Sequence, residues 1–449
     1  MNGSLRRVFG NAGWFLSSRS VTGVLSLFYL ALAARVLGLT GFGQFALVTG
    51  LAQAITGFVT FQTWQIVIRF GMPHLQADDD RGLDAVIGFS IILDVASALA
   101  GSLITIAAVL LLAPVFGWSP TMAWQAASFC AVMLLSLRST PIGILRLHDR
   151  FALAAVGDTV TPVIRLLGAG AAALLAPDVT GFLIAWGCAE AATAIAFWCL
   201  ALSRHPIKWR APAIRNVIAD NPGLWRFAWF TNAASSLSLS TRQITILLVG
   251  SVGGAAAAGA FRIAAQLAQA ITKLTLALSR SVFPELVRVS ADRHFRRLII
   301  RMTGIAMLTG LIALTALATI GGPLLHFLAG RELAMAYWPM ILLTASAALD
   351  LGGVSLEPAL TALGRAGLAL ILRAFATALQ FGLLLLLLPS FGALGAGWAS
   401  IAGSAAALLL TGIAAWRLLR PVSAAAISSR GKPSRHASDY SGRYPARRR

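Results

Sequence analysis

Arginine and lysine set inside apolar runs are the residues of this chain with the greatest chemical consequence. Arg19, Arg165, Arg242, Arg262 and Lys273 each fall within a hydrophobic stretch near the roughly 20 residues that one helical crossing of a bilayer needs. A charge at mid-bilayer costs about 2.5–3.5 kcal/mol on insertion scales, so such a group faces a polar or wet interior. Guanidinium forks bind phosphate oxygens two at a time, and a set of them in a protected cavity would form an anion-binding wall. The acids at similar depth are Asp94, Asp158, Glu190, Asp350 and Glu357. They have two readings: ion pairing with the interior cations, or loading and release of a coupling ion. Asp158 and Arg165 lie two turns apart on one face with Pro162 between them, and Asp350 and Glu357 share that spacing beside Pro358. Arg19 and Arg373 sit nearer a helix end, where snorkelling or pairing competes with a substrate role.

These side chains need long helices to hold them. Hydrophobic residues make up 58% of the 449 positions and charged residues 12%, a balance that one soluble core could not bury. Spans are expected at 12–35, 42–66, 84–113, 123–145, 151–176, 180–202, 225–249, 255–280, 298–321, 336–360, 366–388 and 393–417. The fold class is therefore an all-α integral membrane protein with about 12 crossings. Basic residues crowd alternate connections: Arg6 and Arg7, Arg69 and Arg81, Arg146 and Arg150, Arg204 to Arg215, Arg288 to Arg297, Arg365, and Arg417 with Arg420. That alternation sets both termini in the cytoplasm and Arg331 on the far side. The net charge of +20 thus reports topology and contact with anionic lipid, not nucleic acid. The first apolar run has no convincing cleavage site and is expected to be span one.

The chain is also duplicated. Leu51-Ala-Gln-Ala-Ile-Thr56 recurs 216 residues later as Leu267-Ala-Gln-Ala-Ile-Thr272, and the same offset pairs Val36 with Val252, Gly38 with Gly254, Gly43 with Gly259 and Phe45 with Phe261. Six helices per half give both halves one orientation, related by an axis along the membrane normal, with a crevice between two lobes as the natural site. The expected divisions are a lobe at 1–202, a basic cytoplasmic linker at 203–224, a lobe at 225–420 and a disordered basic tail at 421–449. Within the repeat, Arg262 corresponds to Ala46 and Lys273 to Gly57. Generic helix packing would not need that asymmetry, whereas an anion-binding wall would. Span one carries Ser17, Ser18, Ser20 and Thr22 around Arg19, and span seven carries Ser235 to Thr241 beside Arg242, as cavity walls would.

Other chemistries lack their residues. There is no G-x-x-x-x-G-K-[ST] loop, and the six histidines are scattered without metal-ligand spacing. Cys130, Cys188 and Cys199 fall in helices, are odd in number and are expected to be small buried thiols. Short outward loops leave little room for an extracytoplasmic catalytic domain.

The stretch Ala34-Arg35-Val36-Leu37-Gly38, followed by Gly41-Phe42-Gly43-Gln44-Phe45-Ala46-Leu47, resembles the opening signature of bacterial polysaccharide biosynthesis proteins of the O-antigen flippase type. These belong to the multidrug, oligosaccharidyl-lipid and polysaccharide exporter superfamily, whose six-plus-six layout is similar over nearly the whole chain. The resemblance implies a non-enzymatic inner-membrane flippase that moves undecaprenyl-diphosphate-linked oligosaccharide by alternating access, for lipopolysaccharide or exopolysaccharide assembly. It implies a central cationic cavity for the sugar-diphosphate head, which Arg19, Arg165, Arg242, Arg262 and Lys273 would line. No cofactor or metal is expected; a proton or sodium gradient is the candidate energy source. The expected partners are lipid-linked oligosaccharide, anionic lipids and other glycan-assembly membrane proteins. Two alternatives stand beside it: a cation-coupled multidrug exporter, which would use interior carboxylates such as Asp94, Asp158 and Glu190, and a non-transporting glycan-assembly protein.

Overall fold

A computed structural model describes residues 2–206, 214–289, 295–329, 331–362 and 365–418; side chains are described there except at 2–24, 27, 234–235, 237–242, 270–289, 295–298, 328–329, 331–333, 358, 361–362 and 366. The linker segment 207–213 and the expected tail at 421–449 lie outside the described residues, as do the side chains of Arg19, Arg242 and Lys273.

All the regular structure among the described residues is helical. In chain order the helices are α1 (Asn2–Val59), α2 (Thr63–Gln76), α3 (Asp80–Leu112), α4 (Pro120–Leu135), α5 (Ser139–Leu147), α6 (Phe151–Leu175), α7 (Val179–Leu202), α8 (Ile214–Asp220), α9 (Leu224–Val289), α10 (Phe295–Ala329), α11 (Tyr337–Gly352), α12 (Leu356–Ala362) and α13 (Ala366–Leu418). Nine stretches among the described residues are long and apolar enough to cross a membrane, and two of them, Phe28–Gln76 and Gly367–Leu418, run to 49 and 52 residues. Such lengths hold two crossings each. α1, α9 and α13 are in fact folded at Gly38, Gly254 and Gly392, all with positive φ. Left-handed backbone there turns the chain at little cost only because glycine has no Cβ.

The repeat is visible in the geometry. Gly38 (φ 64°, ψ 179°) and Gly254 (φ 74°, ψ −178°), 216 residues apart, share one conformation. Shifted by the same interval, α3 falls on α10, α4 on α11, the α4–α5 break on the α11–α12 break, and the α6–α7 junction on Gly392. The halves meet where α1 packs on α9. A Cβ on Gly43 would stand 1.8 Å from the Ala255 carbonyl oxygen, and one on Gly259 would stand 3.1 Å from that of Leu39. Both contacts join the same pair of repeat positions in reciprocal order, as a pseudo-two-fold axis requires. In lipid, close backbone approach over small residues supplies much of the association that hydrophobic burial supplies in water. A buried cluster from both halves, including Phe42, Phe45, Leu47, Trp186, Ile246, Val249 and Phe261, surrounds the seam. Leu110 and Leu174, 72% and 85% exposed, face outward as lipid-facing residues do.

Three expected spans are interrupted. The span over 42–66 breaks at 60–62, that over 123–145 at 136–138 and that over 336–360 at 353–355. Pro141 explains the second: it has no N–H for the Leu137 carbonyl, which accepts instead from the Trp198 indole at 2.8 Å. The segment expected as a basic linker contains α8, whose Val217 is buried with Phe61, Ile66, Leu224 and Ala228. The cysteine expectation holds for Cys130 alone, which is buried; Cys188 and Cys199 are exposed on α7.

Candidate functional site

Arg262, on the second limb of α9, sits on the seam between the halves and is 8% exposed. Its Nη1 donates to Gln243 Oε1 at 3.0 Å, and Gln243 Nε2 in turn donates to Gln53 Oε1 on α1 at 2.8 Å. Among the described residues no carboxylate lies within ion-pair distance of Arg262. Its neighbours in the electrostatic sense are Tyr29 and a second arginine, Arg165.

Arg165 belongs to a three-membered cluster built from three elements. Glu190 on α7, 2% exposed, accepts from Arg165 Nη2 through Oε1 and from Arg138 Nη1 through Oε2 at 3.0 Å. The Trp186 indole donates to the same Oε1 at 3.2 Å. The Arg165 guanidinium lies over the Trp186 ring at 3.9 Å and within 5.8 Å of the buried Tyr29 ring, a cation–π arrangement that also keeps water off it. Arg165 Nε is buried with no hydrogen-bond partner among the described residues. Arg138, in contrast, is 41% exposed. It stands in the α4–α5 break created around Pro141, and so escaped notice as one more residue of an expected continuous span. The break itself was signalled by Pro141, but the direction of Arg138 was not.

The remaining acids are placed differently. Asp94 on α3 is 4% exposed. It accepts from Thr63 Oγ1 at 2.8 Å, from Thr140 Oγ1 at 2.6 Å and from the Thr140 backbone N–H at 3.3 Å. Thr63 opens α2 and Thr140 lies in the first turn of α5, so this carboxylate closes the positive ends of two half-helices. Both of its oxygens are thus already engaged by donors. Asp350 and Glu357 each lie 3.5 Å from Arg373 Nη1 in the second half, so the cluster holds one cation between two acids. Asp158 is exposed on α6, and the carboxylate paired with Arg165 is Glu190, not Asp158.

Each half therefore carries charges that the other lacks. At the 216-residue offset Arg138, Arg165 and Glu190 correspond to Val354, Phe381 and Ala406, while Asp350, Glu357 and Arg373 correspond to Leu134, Pro141 and Gly157. Among the described groups at the seam and beside it, Arg138, Arg165 and Arg262 outnumber the single carboxylate of Glu190. The arrangement can hold an anion.

A tie between the halves lies at the Gly38 end of α1, where Arg35 donates to the Phe327 carbonyl of α10 and its guanidinium stands 5.3 Å from the Phe327 ring. The signature stretch around Gly38 and Gly43 is thus explained by the turn and by the seam.

Comparison with known proteins gives this geometry a lineage. Inner membrane protein YghQ of Escherichia coli strain K12 is 31% identical over 346 residues, covering 75% of this chain and 96% of that protein. Among solved structures, lipid II flippase MurJ in an inward closed conformation superposes with a TM-score of 0.69 at 14% identity, over 89% of this chain and 87% of that one. A multidrug resistance MATE family transporter of the MOP superfamily, inward-facing, gives 0.65 at 15% identity, over 92% and 96%. Both show the shared two-lobed helical fold. The family model for polysaccharide biosynthesis proteins matches residues 8–290, and with the YghQ likeness it establishes that this multi-pass membrane chain belongs to the polysaccharide biosynthesis protein family.

Proposed function

We propose that the protein is a flippase that carries the diphosphate head of a lipid-linked oligosaccharide, undecaprenyl-linked, across the bacterial inner membrane by alternating access, with no covalent chemistry. The observation that carries this reading is Arg262: a guanidinium 8% exposed at the seam of two repeats, held by a neutral glutamine. A buried charge with no counter-ion, as Arg262 is among the described residues, costs several kcal/mol. A phosphate oxygen arriving between the lobes would offset that cost, and the guanidinium fork matches it. The lobes are taken as 1–202 and 225–420, joined by 203–224, with both termini and the tail cytoplasmic. Arg19, Arg242 and Lys273 are assigned to the same cavity wall on the positions of their helices. A proton or sodium gradient supplies the direction, and other glycan-assembly proteins the context.

A drug exporter for organic cations is less well supported. Glu190 is already held by two arginines and Asp94 by hydroxyls at helix N-termini, so neither presents a bare carboxylate to a cation.

The test is flipping of lipid-linked oligosaccharide by purified protein in vesicles. Arg262→Ala should lower the rate about tenfold or more, the factor that a loss of about 1.4 kcal/mol produces. Arg262→Lys should rescue it in part, since the charge survives and the fork does not. A wild-type rate in Arg262→Ala, with the protein folded in the membrane, overturns the reading.

A further inference from the structure

Glu190 occupies the centre of a cluster whose donors come from separate elements. Its two oxygens are claimed separately, one by Arg165 with Trp186 and the other by Arg138. Two guanidiniums from different elements, bridged by adjacent oxygens of one anionic group, form the arrangement that also binds a phosphate. Two further features point to a ligand. Arg165 Nε is buried and has no partner among the described residues, so the present occupant leaves one donor of the guanidinium unused. Arg138 is 41% exposed although the carboxylate it holds is 2% exposed, so its guanidinium reaches from the surface inward and has donors to spare.

The repeat shows that the fold does not demand this cluster. The second half builds the corresponding helices with Val354, Phe381 and Ala406 at the three positions. A purely structural ion cluster would also be an expensive way to fill that space, because apolar residues of similar volume commonly do as well or better. One net positive charge remains when Glu190 is ionised between two arginines.

We propose that Glu190 is an internal stand-in for a phosphate: it holds Arg138 and Arg165 in place in the empty protein and yields them, one after the other, to a phosphate or diphosphate group entering from the Arg138 side. Arg138 is then a substrate-binding residue that makes first contact. Glu190 is a positioning residue whose return to the arginines helps expel the anion. Trp186 holds the Arg165 plane throughout. This inference rests on the flippase reading for its substrate, but not for its binding chemistry.

The experiment measures binding of inorganic pyrophosphate to the full-length protein in lipid nanodiscs by calorimetry at low salt, with glucuronate as the carboxylate control. Removing the competing carboxylate in Glu190→Gln should tighten pyrophosphate binding about tenfold and slow its release, with a smaller effect on glucuronate. Arg138→Gln, which removes a half-exposed side chain and should fold, should weaken pyrophosphate binding about tenfold. The double variant should fall between the two. Equal affinity in folded Glu190→Gln and wild type overturns the stand-in. If Glu190→Gln does not fold, the Arg138→Gln comparison decides, and unchanged affinity there overturns the proposal. Tighter glucuronate than pyrophosphate binding would assign the site to acidic sugars and overturn the phosphate assignment. Failure of the flippase reading shows elsewhere, as wild-type flipping by Arg262→Ala, so the two can fall independently.

Discussion

Replacing Gly43 by alanine adds one methyl group at the tightest contact between the two repeats. The new Cβ would lie 1.8 Å from the Ala255 carbonyl oxygen, 2.3 Å from its carbon and 3.0 Å from its Cα. All three are backbone atoms, so no rotamer change relieves the overlap; α1 and α9 must part. Contacts under 3.0 Å are essentially never seen for a Cβ, and the required shift is about an ångström or more against a dry, close-packed seam. Overpacking of this kind costs about 1–3 kcal/mol where side chains can give, and with backbone on the far side Gly43→Ala should sit at or above the top of that range. Gly170 of α6, with nothing within 4 Å, is the control; alanine there should be neutral or stabilise by up to about 1 kcal/mol, since a helical glycine loses more freedom on folding. Thermal denaturation in detergent, followed by fluorescence-detected size exclusion, separates the two. Flipping by Gly43→Ala should fall with stability. A Gly43→Ala protein that melts with wild type and with Gly170→Ala refutes the claim that these backbones touch across the seam.

Three other outcomes follow from the same structure. Asp94→Ala removes the acceptor of the Thr63 hydroxyl and the Thr140 backbone N–H and should destabilise by about 1–3 kcal/mol, with Asp94→Asn costing less because an acceptor remains; equal melting of both variants with wild type counts against a pinning role. His148 has a pKa below the ordinary 6.5 because of burial and the nearby His205 and Arg150, with His205 itself hydrogen-bonded to Asp84 at 2.9 Å. The unfolded chain therefore takes up a proton there before the folded one does, so stability should fall as pH drops through the ordinary histidine range, and His148→Asn should flatten that slope in a melting series from about pH 7.5 to 5. Gly38→Ala and Gly254→Ala force a side chain into positive-φ, extended-ψ backbone that is essentially confined to glycine and should each cost about 1–3 kcal/mol, with similar melting shifts because the two turns are repeat mates.

Much of this architecture was legible in the residues alone. Apolar runs of bilayer length and the positive-inside pattern of basic loops specify a multi-pass helical protein, because the cost of an unsatisfied backbone in lipid leaves few alternatives. The recurrence of Leu51–Thr56 at Leu267–Thr272 carried the duplication, with the glycines at 38, 43, 254 and 259 among its paired positions; that one pair turns the chain and the other seats the seam was decided by the structure. Arg262 stood out by contrast with Ala46. Tertiary structure decided the rest. Arg138, Arg165 and Glu190 lie at no helical spacing from one another, and only the packing of α6 on α7, with the chain broken ahead of Pro141, brings two guanidiniums to one carboxylate. The spacing of Asp158 and Arg165 suggested a pair along one helix, yet Arg165 turns to Glu190 on a neighbouring helix. Asp94, legible only as a buried acid, is fixed by hydroxyls from two broken helices. A charge in a membrane span announces that it must be satisfied; which partner satisfies it depends on helix rotation and crossing, and these are set by contacts far apart in the chain.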